Sequence, residues 1–371
     1  MMSARFLTVV LERAFNMRDG FGREIDYMRI SVIDSCNLNC YYCNPCDNNE
    51  HCHALNILSV KEVICIVRAA TRLGIKHFRL TGGEPLLHPQ LDEMVLQIKK
   101  IPGVSSVSLT TNAVLLAQHA KWLKEAGIDS INVSLDTIDA SEYERITKKP
   151  LLEEVKHGIN AAIECGIRVK INVVLTPQTD VVALTRYVAK KGTDIRFIEM
   201  MPVGEGHTNG VEPYKKVIGT LSKLYGEPCR INTEKTKEIN SGNDKRKIPD
   251  NGPAEYYIFP ELGIRVGLIQ AIHGKFCDTC NRIRVTADGR LMPCLGSSVT
   301  MDLVPDSWDF ADDVEKDFAI VRALRAAIKA KPRCHNFNDN AVTYTKTTET
   351  KTTEIEAAEV NAARNMSRIG G

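Results

Sequence analysis

The stretch YMRISVIDSCNLNCYYC, residues 27–43, decides how this chain is read. Its first half alternates, with Met28, Ile30 and Val32 on one face and Arg29 and Ser31 on the other, the period of a β-strand. Its second half sets Cys36, Cys40 and Cys43 in C-x3-C-x2-C spacing on the loop that follows. Three thiolates can hold three irons of a cubane 4Fe–4S cluster and leave the fourth iron open to a ligand that is not protein. A single zinc prefers four N or S ligands, commonly as paired C-x2-C units, and this spacing suits it poorly.

The same unit of strand, loop and helix recurs along the chain. Strands are expected in KHFRLT (76–81), SVSLTT (106–111), SINVSLD (130–136), RVKINVVL (168–175) and DIRFIEMM (194–201). Helical patterns lie between them, for example SVKEVICIVRAATRLG (59–74) and LLEEVKHGINAAIECG (151–166). Such alternation predicts an α/β fold with a parallel sheet and right-handed crossovers, here an incomplete (β/α)6 TIM-type barrel. After residue 210 the pattern changes. EYYIF, GIRVGLIQ and RIRVTADGRLMPC read as short strands, with Asp288-Gly289 a hairpin turn and a helix over 311–330. This C-terminal β-rich extension is expected to close the open side of the barrel. The Thr-, Lys- and Glu-rich run TYTKTTETKTTE (343–354) reads as a linker to a Gly370-Gly371 end. The expected division is 19–210 for the barrel with the first cluster, 211–340 for the extension, and 341–371 for a flexible linker and tail.

Composition excludes some functions. A net charge of +2 over 371 residues gives no field for nucleic acid or a membrane surface, so an anionic ligand needs a local cluster of cations. No apolar run approaches a membrane span, and FLTVVL (6–11) is too short for a signal core. Twelve cysteines without a secretion signal point to a reducing compartment, hence the cytoplasm.

One face of the strands is apolar throughout: Met28, Ile30, Val32; Phe78, Leu80; Ile131, Val133, Leu135; Val169, Ile171, Val173. The other collects Arg29, Arg79, Ser108, Thr110, Asn132, Ser134, Asp136, Lys170 and Asn172. A closed barrel fills its interior with branched apolar residues, whereas this one would be polar, with Arg29, Arg79 and Lys170 in mid-strand. Such cations must meet carboxylates, Asp136 and Glu199 being candidates, or water, or an anionic ligand.

Two further groups carry chemistry. Leu80-Thr81-Gly82-Gly83-Glu84-Pro85 follows the second strand, where paired glycines allow close backbone approach and Glu84 either accepts from a ligand amine or caps a helix. Cys277, Cys280 and Cys294 form a second triplet, C-x2-C-x13-C, with Arg282 and Arg284 on one face of the strand between. The alternative is a zinc ribbon with His273 or Cys334 as fourth ligand. Cys46, Cys52, Cys65, Cys165, Cys229 and Cys334 show no metal spacing.

The first cysteine loop with Tyr42 and the TGGEP motif resemble the signatures of the radical S-adenosylmethionine (SAM) superfamily. The second triplet with its C-x-R-x-R pair, RFIEMMPVGEG (196–206) and the terminal Gly-Gly resemble, within it, the GTP 3′,8-cyclase family of molybdenum cofactor biosynthesis. The resemblance implies SAM at the open iron of the first cluster and its one-electron cleavage to methionine and a 5′-deoxyadenosyl radical. That radical would take the 3′-hydrogen of GTP, and C3′ would add to guanine C8, giving (8S)-3′,8-cyclo-7,8-dihydroguanosine 5′-triphosphate, a lyase reaction. A second 4Fe–4S cluster would present an iron to the guanine. By matching position, SAM would meet Tyr42, Gly83, Ser134 and Met201. GTP would meet Arg29, Arg79, Thr110, Lys170, Arg282 and Arg284, and Arg282, Arg284, Gly370 and Gly371 would act in catalysis. The implied partners are an electron donor such as flavodoxin or ferredoxin and a downstream cyclic pyranopterin monophosphate synthase, the chain being a monomer or homodimer. Ala113, where the family commonly has Gly, and Ser35, where it has Arg, depart from the pattern with little expected effect. Other readings are a different radical SAM enzyme with an auxiliary cluster, or a non-catalytic iron–sulfur or zinc protein.

Overall fold

The computed structural model describes residues 17–43, 56–203, 210–231, 252–297, 299–303, 313–335 and 337. Cys46, Cys52, the end of the RFIEMMPVGEG segment, the linker and Gly370-Gly371 lie outside them. Among these residues no helix is long and apolar enough to cross a membrane.

Six parallel strands run in sequence order: β1 (Tyr27–Ser31), β2 (His77–Thr81), β3 (Ser106–Thr111), β4 (Ser130–Ser134), β5 (Val169–Val174) and β6 (Asp194–Ile198). Helices cross between them. Val60–Arg72 begins with Ser59 and Glu62 in a reciprocal capping box, and Ala140–Thr147 and Val181–Lys190 are capped by Asp139 and Asp180. The apolar face of the strands is buried under these helices, with Met28, Ile30, Phe78, Leu80, Ile131 and Val133 fully enclosed.

The extension continues the sheet on both sides. It supplies β7 (Cys229–Ile231), β8 (Glu255–Ile258), β9 (Arg265–Ile269), β10 (Arg282–Val285), β11 (Arg290–Met292) and β12 (Met301–Asp302). β9 pairs parallel to β6 and β10 pairs parallel to β1, giving one sheet in the order β12-β11-β10-β1-β2-β3-β4-β5-β6-β9-β8-β7. Met201 and Ala271, beyond β6 and β9, pack with Met292 of β11 and with Phe337. Residues from opposite ends of the strand order therefore touch, so the sheet curls into a partial barrel with the extension across its open side. The polar strand face lines the lumen.

Candidate cluster and nucleotide site

The first triplet follows β1, at the C-terminal mouth of the barrel. The Gly83 and Glu84 N–H groups donate to the Ile33 and Ser35 carbonyls at 2.7 and 2.8 Å. A Cβ on Gly82 would stand 2.4 Å from the Ile33 oxygen, and one on Gly83 2.1 Å from the Ser35 oxygen. What the paired glycines admit is the chain's own cysteine loop. Glu84 serves as a cap: its carboxylate accepts from Leu86 N–H at 3.1 Å, the Thr111 hydroxyl at 2.6 Å and Asn112 N–H at 2.7 Å. Burial pushes it up to about 7 against those three donors.

The loop is tied down at further points. The Tyr42 hydroxyl donates to Asp136, whose other oxygen accepts from Val174 N–H at 2.8 Å. The Asn39 and Tyr41 N–H groups bond to the Thr147 and Ile146 carbonyls, satisfying the open end of helix Ala140–Thr147. Asn112 Nδ2 lies 3.8 Å from the Cys36 sulfur. Ser134 is exposed at the end of β4, and Met201 is half-buried beyond β6. Burial is the main cause that raises the thiols, Cys36 to about 11, Cys43 to about 12 and Cys40 likewise upward, with neighbouring thiols and acids adding to it.

The second triplet sits at the opposite mouth. Cys277 and Cys280 precede β10, which runs parallel to β1, and Cys294 follows the antiparallel β11. The register sets Arg282 beside Tyr27 and Arg284 beside Arg29. Four residue rises of β1, roughly 13 Å, therefore separate the two mouths.

The thiols within each triplet lie in one another's electrostatic field. Yet among the described residues no three His, Cys, Asp or Glu converge as the ligands of one ion would. His273, the candidate fourth zinc ligand, is bonded instead to the Glu199 carboxylate, which also accepts from Ile272 N–H at 2.7 Å. Cys334 is exposed, within the field of Cys277.

Between the mouths lie the cations. Arg79 donates to the Ser108 hydroxyl at 3.1 Å and sits over the Tyr27 ring at 5.7 Å, while Arg282 sits over the Phe276 ring at 5.5 Å. Burial, then the guanidiniums of Arg284 and Arg79, hold Arg29 well below the ordinary arginine range. Burial and then Arg282 bring Arg284 down to about 10. Arg29 Nε is buried with no hydrogen-bond partner, as are both amide atoms of Asn132. Asp136 and Glu199, the expected carboxylate partners, are engaged at the C-terminal ends of the strands instead. Buried cations cost several kcal/mol each when unmatched. Guanidiniums that repel one another in this way have the chemistry to receive a multiply charged anion. Lys170 is buried on β5 and Thr110 half-buried on β3, both on this face.

Other residues of the site were not singled out from the sequence. Arg196 of β6 faces the lumen, its Nε donating to the Tyr256 hydroxyl at 2.6 Å across Gly267, whose Cβ would meet the Arg196 side chain at 3.0 Å. The alternation of DIRFI carries that signal. Arg23, Lys331 and His335, which surround the second triplet, have no sequence pattern to mark them.

Two family models match the chain, "Radical SAM superfamily" over residues 30–183 and "Molybdenum Cofactor Synthesis C" over 193–337. It is 35% identical over 324 residues to a GTP 3′,8-cyclase of Clostridium perfringens, covering 86% of this chain and 95% of that one. The same name attaches to a relative from Peptoclostridium acidaminophilum, 37% identical over 328 residues, with 86% and 94% covered. Among solved structures, Streptococcus suis SuiB bound to S-adenosylmethionine matches with a TM-score of 0.54 at 14% identity. That match covers 81% of this chain and 65% of SuiB, and it shows the fold alone. The chain belongs to the GTP 3′,8-cyclase family of the radical SAM superfamily.

Proposed function

We propose that this chain is a radical SAM lyase that converts GTP to (8S)-3′,8-cyclo-7,8-dihydroguanosine 5′-triphosphate, the first step of molybdenum cofactor biosynthesis. The observation that carries the reading is the placement of two cysteine triplets at opposite mouths of one lumen, with arginines between them. Cys36, Cys40 and Cys43 would hold a first 4Fe–4S cluster, and Cys277, Cys280 and Cys294 a second. When bound, the first cluster supplies the electron that cleaves SAM. Tyr42, Gly83, Ser134 and Met201 ring the first mouth as SAM contacts. Arg29, Arg79, Thr110, Lys170, Arg282 and Arg284 hold the nucleotide, the cations on its triphosphate. We take 19–210 as the SAM-binding barrel and 211–340 as the nucleotide-side extension. A flavodoxin- or ferredoxin-like reductant, a downstream pterin synthase and a cytoplasmic setting complete the reading.

The test is incubation of the reconstituted, reduced protein with SAM and GTP, with chromatographic detection of the cyclised nucleotide. Iron and sulfide should reach about eight each per chain, the sum of two cubane clusters. SAM cleavage without a GTP product would favour another radical SAM enzyme with an auxiliary cluster. A chain that bound zinc and left SAM intact would overturn the reading.

A further inference from the structure

We infer that Lys331 is a positioning residue of the second cluster, its buried ammonium fixing the Cys280 sulfur and the backbone beside Cys280 and Cys294 and setting the charge around them. The inference rests on the reading of Cys277, Cys280 and Cys294 as a cluster site.

Lys331 stands just past helix Asp313–Lys329 and is 3% exposed. Its Nζ donates to the Arg282 carbonyl at 2.8 Å and the Pro293 carbonyl at 2.9 Å, and hydrogen-bonds the Cys280 side chain. These partners occupy the three donors of an ammonium. Arg282 lies two residues after Cys280, and Pro293 immediately precedes Cys294. One side chain thus clasps both arms of the β10–β11 hairpin at their cysteine-bearing ends. None of these partners is a carboxylate, so the positive charge is kept beside the sulfurs.

The rest of the segment 331–335 serves Cys277. The His335 N–H hydrogen-bonds the Cys277 side chain. Arg23 donates to the Cys277 carbonyl at 2.8 Å and to the Pro332 and Arg333 carbonyls at 2.6 and 2.9 Å. A strap from the end of one helix therefore reaches all three members of the triplet. Hydrogen bonds to ligating sulfurs and a nearby cation favour the more negative, reduced state of an iron–sulfur cluster and hold its ligands in place.

Lys331→Gln keeps donors for the two carbonyls and removes the charge, whereas Lys331→Arg keeps the charge. Both variants and the parent are reconstituted with iron and sulfide and titrated potentiometrically, with paramagnetic resonance following each cluster. In Lys331→Gln the second cluster should move to a more negative midpoint potential, with the first unchanged. Lys331→Arg should stay with the parent. Against a chelator, Lys331→Gln should hold second-site iron about ten- to a hundredfold more weakly. A Lys331→Gln protein whose second midpoint matches the parent's overturns the inference. So does loss of the second cluster in both variants, whereas loss in Lys331→Gln alone supports it. A parent that loads only the first cluster refutes the underlying cluster reading instead.

Discussion

Around Cys40 and Cys43 the charged side chain that adds to burial is Asp136, and around Cys36 it is Glu84. Around Cys280 burial is the largest single influence, but the charges of Lys331 and Arg282 together with their hydrogen bonds outweigh it and bring the thiol below its ordinary value. Cys280 and the first triplet are thus set in fields of opposite sign, while burial raises Cys277. Acidic neighbours and burial disfavour added negative charge, so a cluster there is a strong reductant, as electron donation into SAM demands. Cationic neighbours at the second site, Lys331 and Arg282 beside Cys280, favour negative charge there. On the proposed reading, the first triplet would hold the cluster that gives electrons and the second the cluster that faces the substrate.

Removing a thiol tests that division most severely. Cys40→Ala should abolish SAM cleavage, because two remaining thiolates leave a labile cluster. Cys280→Ala should lose cyclisation yet keep the first cluster and an uncoupled yield of 5′-deoxyadenosine, measured by chromatography. Equal loss of 5′-deoxyadenosine in both would break the comparison. Next in size, Arg29→Ala and Arg284→Ala should each weaken GTP by about ten- to a hundredfold, the roughly 1.5–3 kcal/mol of a charge-assisted contact. SAM affinity by calorimetry should hold, and parallel losses of both ligands would assign these arginines to the fold.

The metal-free protein separates the two fields directly. At pH 8 the more exposed Cys36, raised to about 11, is almost wholly protonated, whereas Cys280 carries more thiolate. Alkylation followed by peptide mass spectrometry should label Cys280 about tenfold faster, lower intrinsic nucleophilicity offsetting part of its thiolate advantage. Raising the pH towards 11 should close the gap; faster labelling of Cys36 at pH 8 would reverse the assigned fields.

Two glycines extend the comparison to packing. At the first site a Cβ on Gly83 meets backbone oxygen at 2.1 Å, while at the second a Cβ on Gly296 meets the His335 and Phe337 side chains at 2.6 and 2.9 Å. Gly83→Ala should lower Tm more than Gly296→Ala, within about 1–3 kcal/mol of overpacking, since side chains give way more readily than paired backbone. The smallest effect is a gain. Ala113 sits at φ 64°, where an L side chain costs about 1–2 kcal/mol. Ala113→Gly should therefore raise Tm by about 1–3 °C.

Much of this was legible beforehand because period and position carry it. SVSLTT predicts β3 over the residues it occupies, and alternation alone places Arg29, Arg79 and Lys170 on the lumen face. The cysteine spacings marked both triplets. The Gly-Gly motif was legible as a site of close approach, though the approaching backbone proved to be the cysteine loop. Nothing local could reveal that the triplets lie at opposite mouths, since that depends on β10 pairing parallel to a strand 255 residues earlier. Lys331 escaped for the same reason. Its role comes from three partners brought together by tertiary packing, and a lysine after a helix reads as a surface residue.

That distant pairing also orders the making of the protein. As the chain leaves the ribosome, β1 emerges early, but the partner for its outer edge arrives only when β10 is synthesised. For most of translation the nascent barrel carries an open, half-apolar edge, a template for pairing with other chains. Truncation ahead of β10 should therefore yield aggregates rather than a smaller working domain.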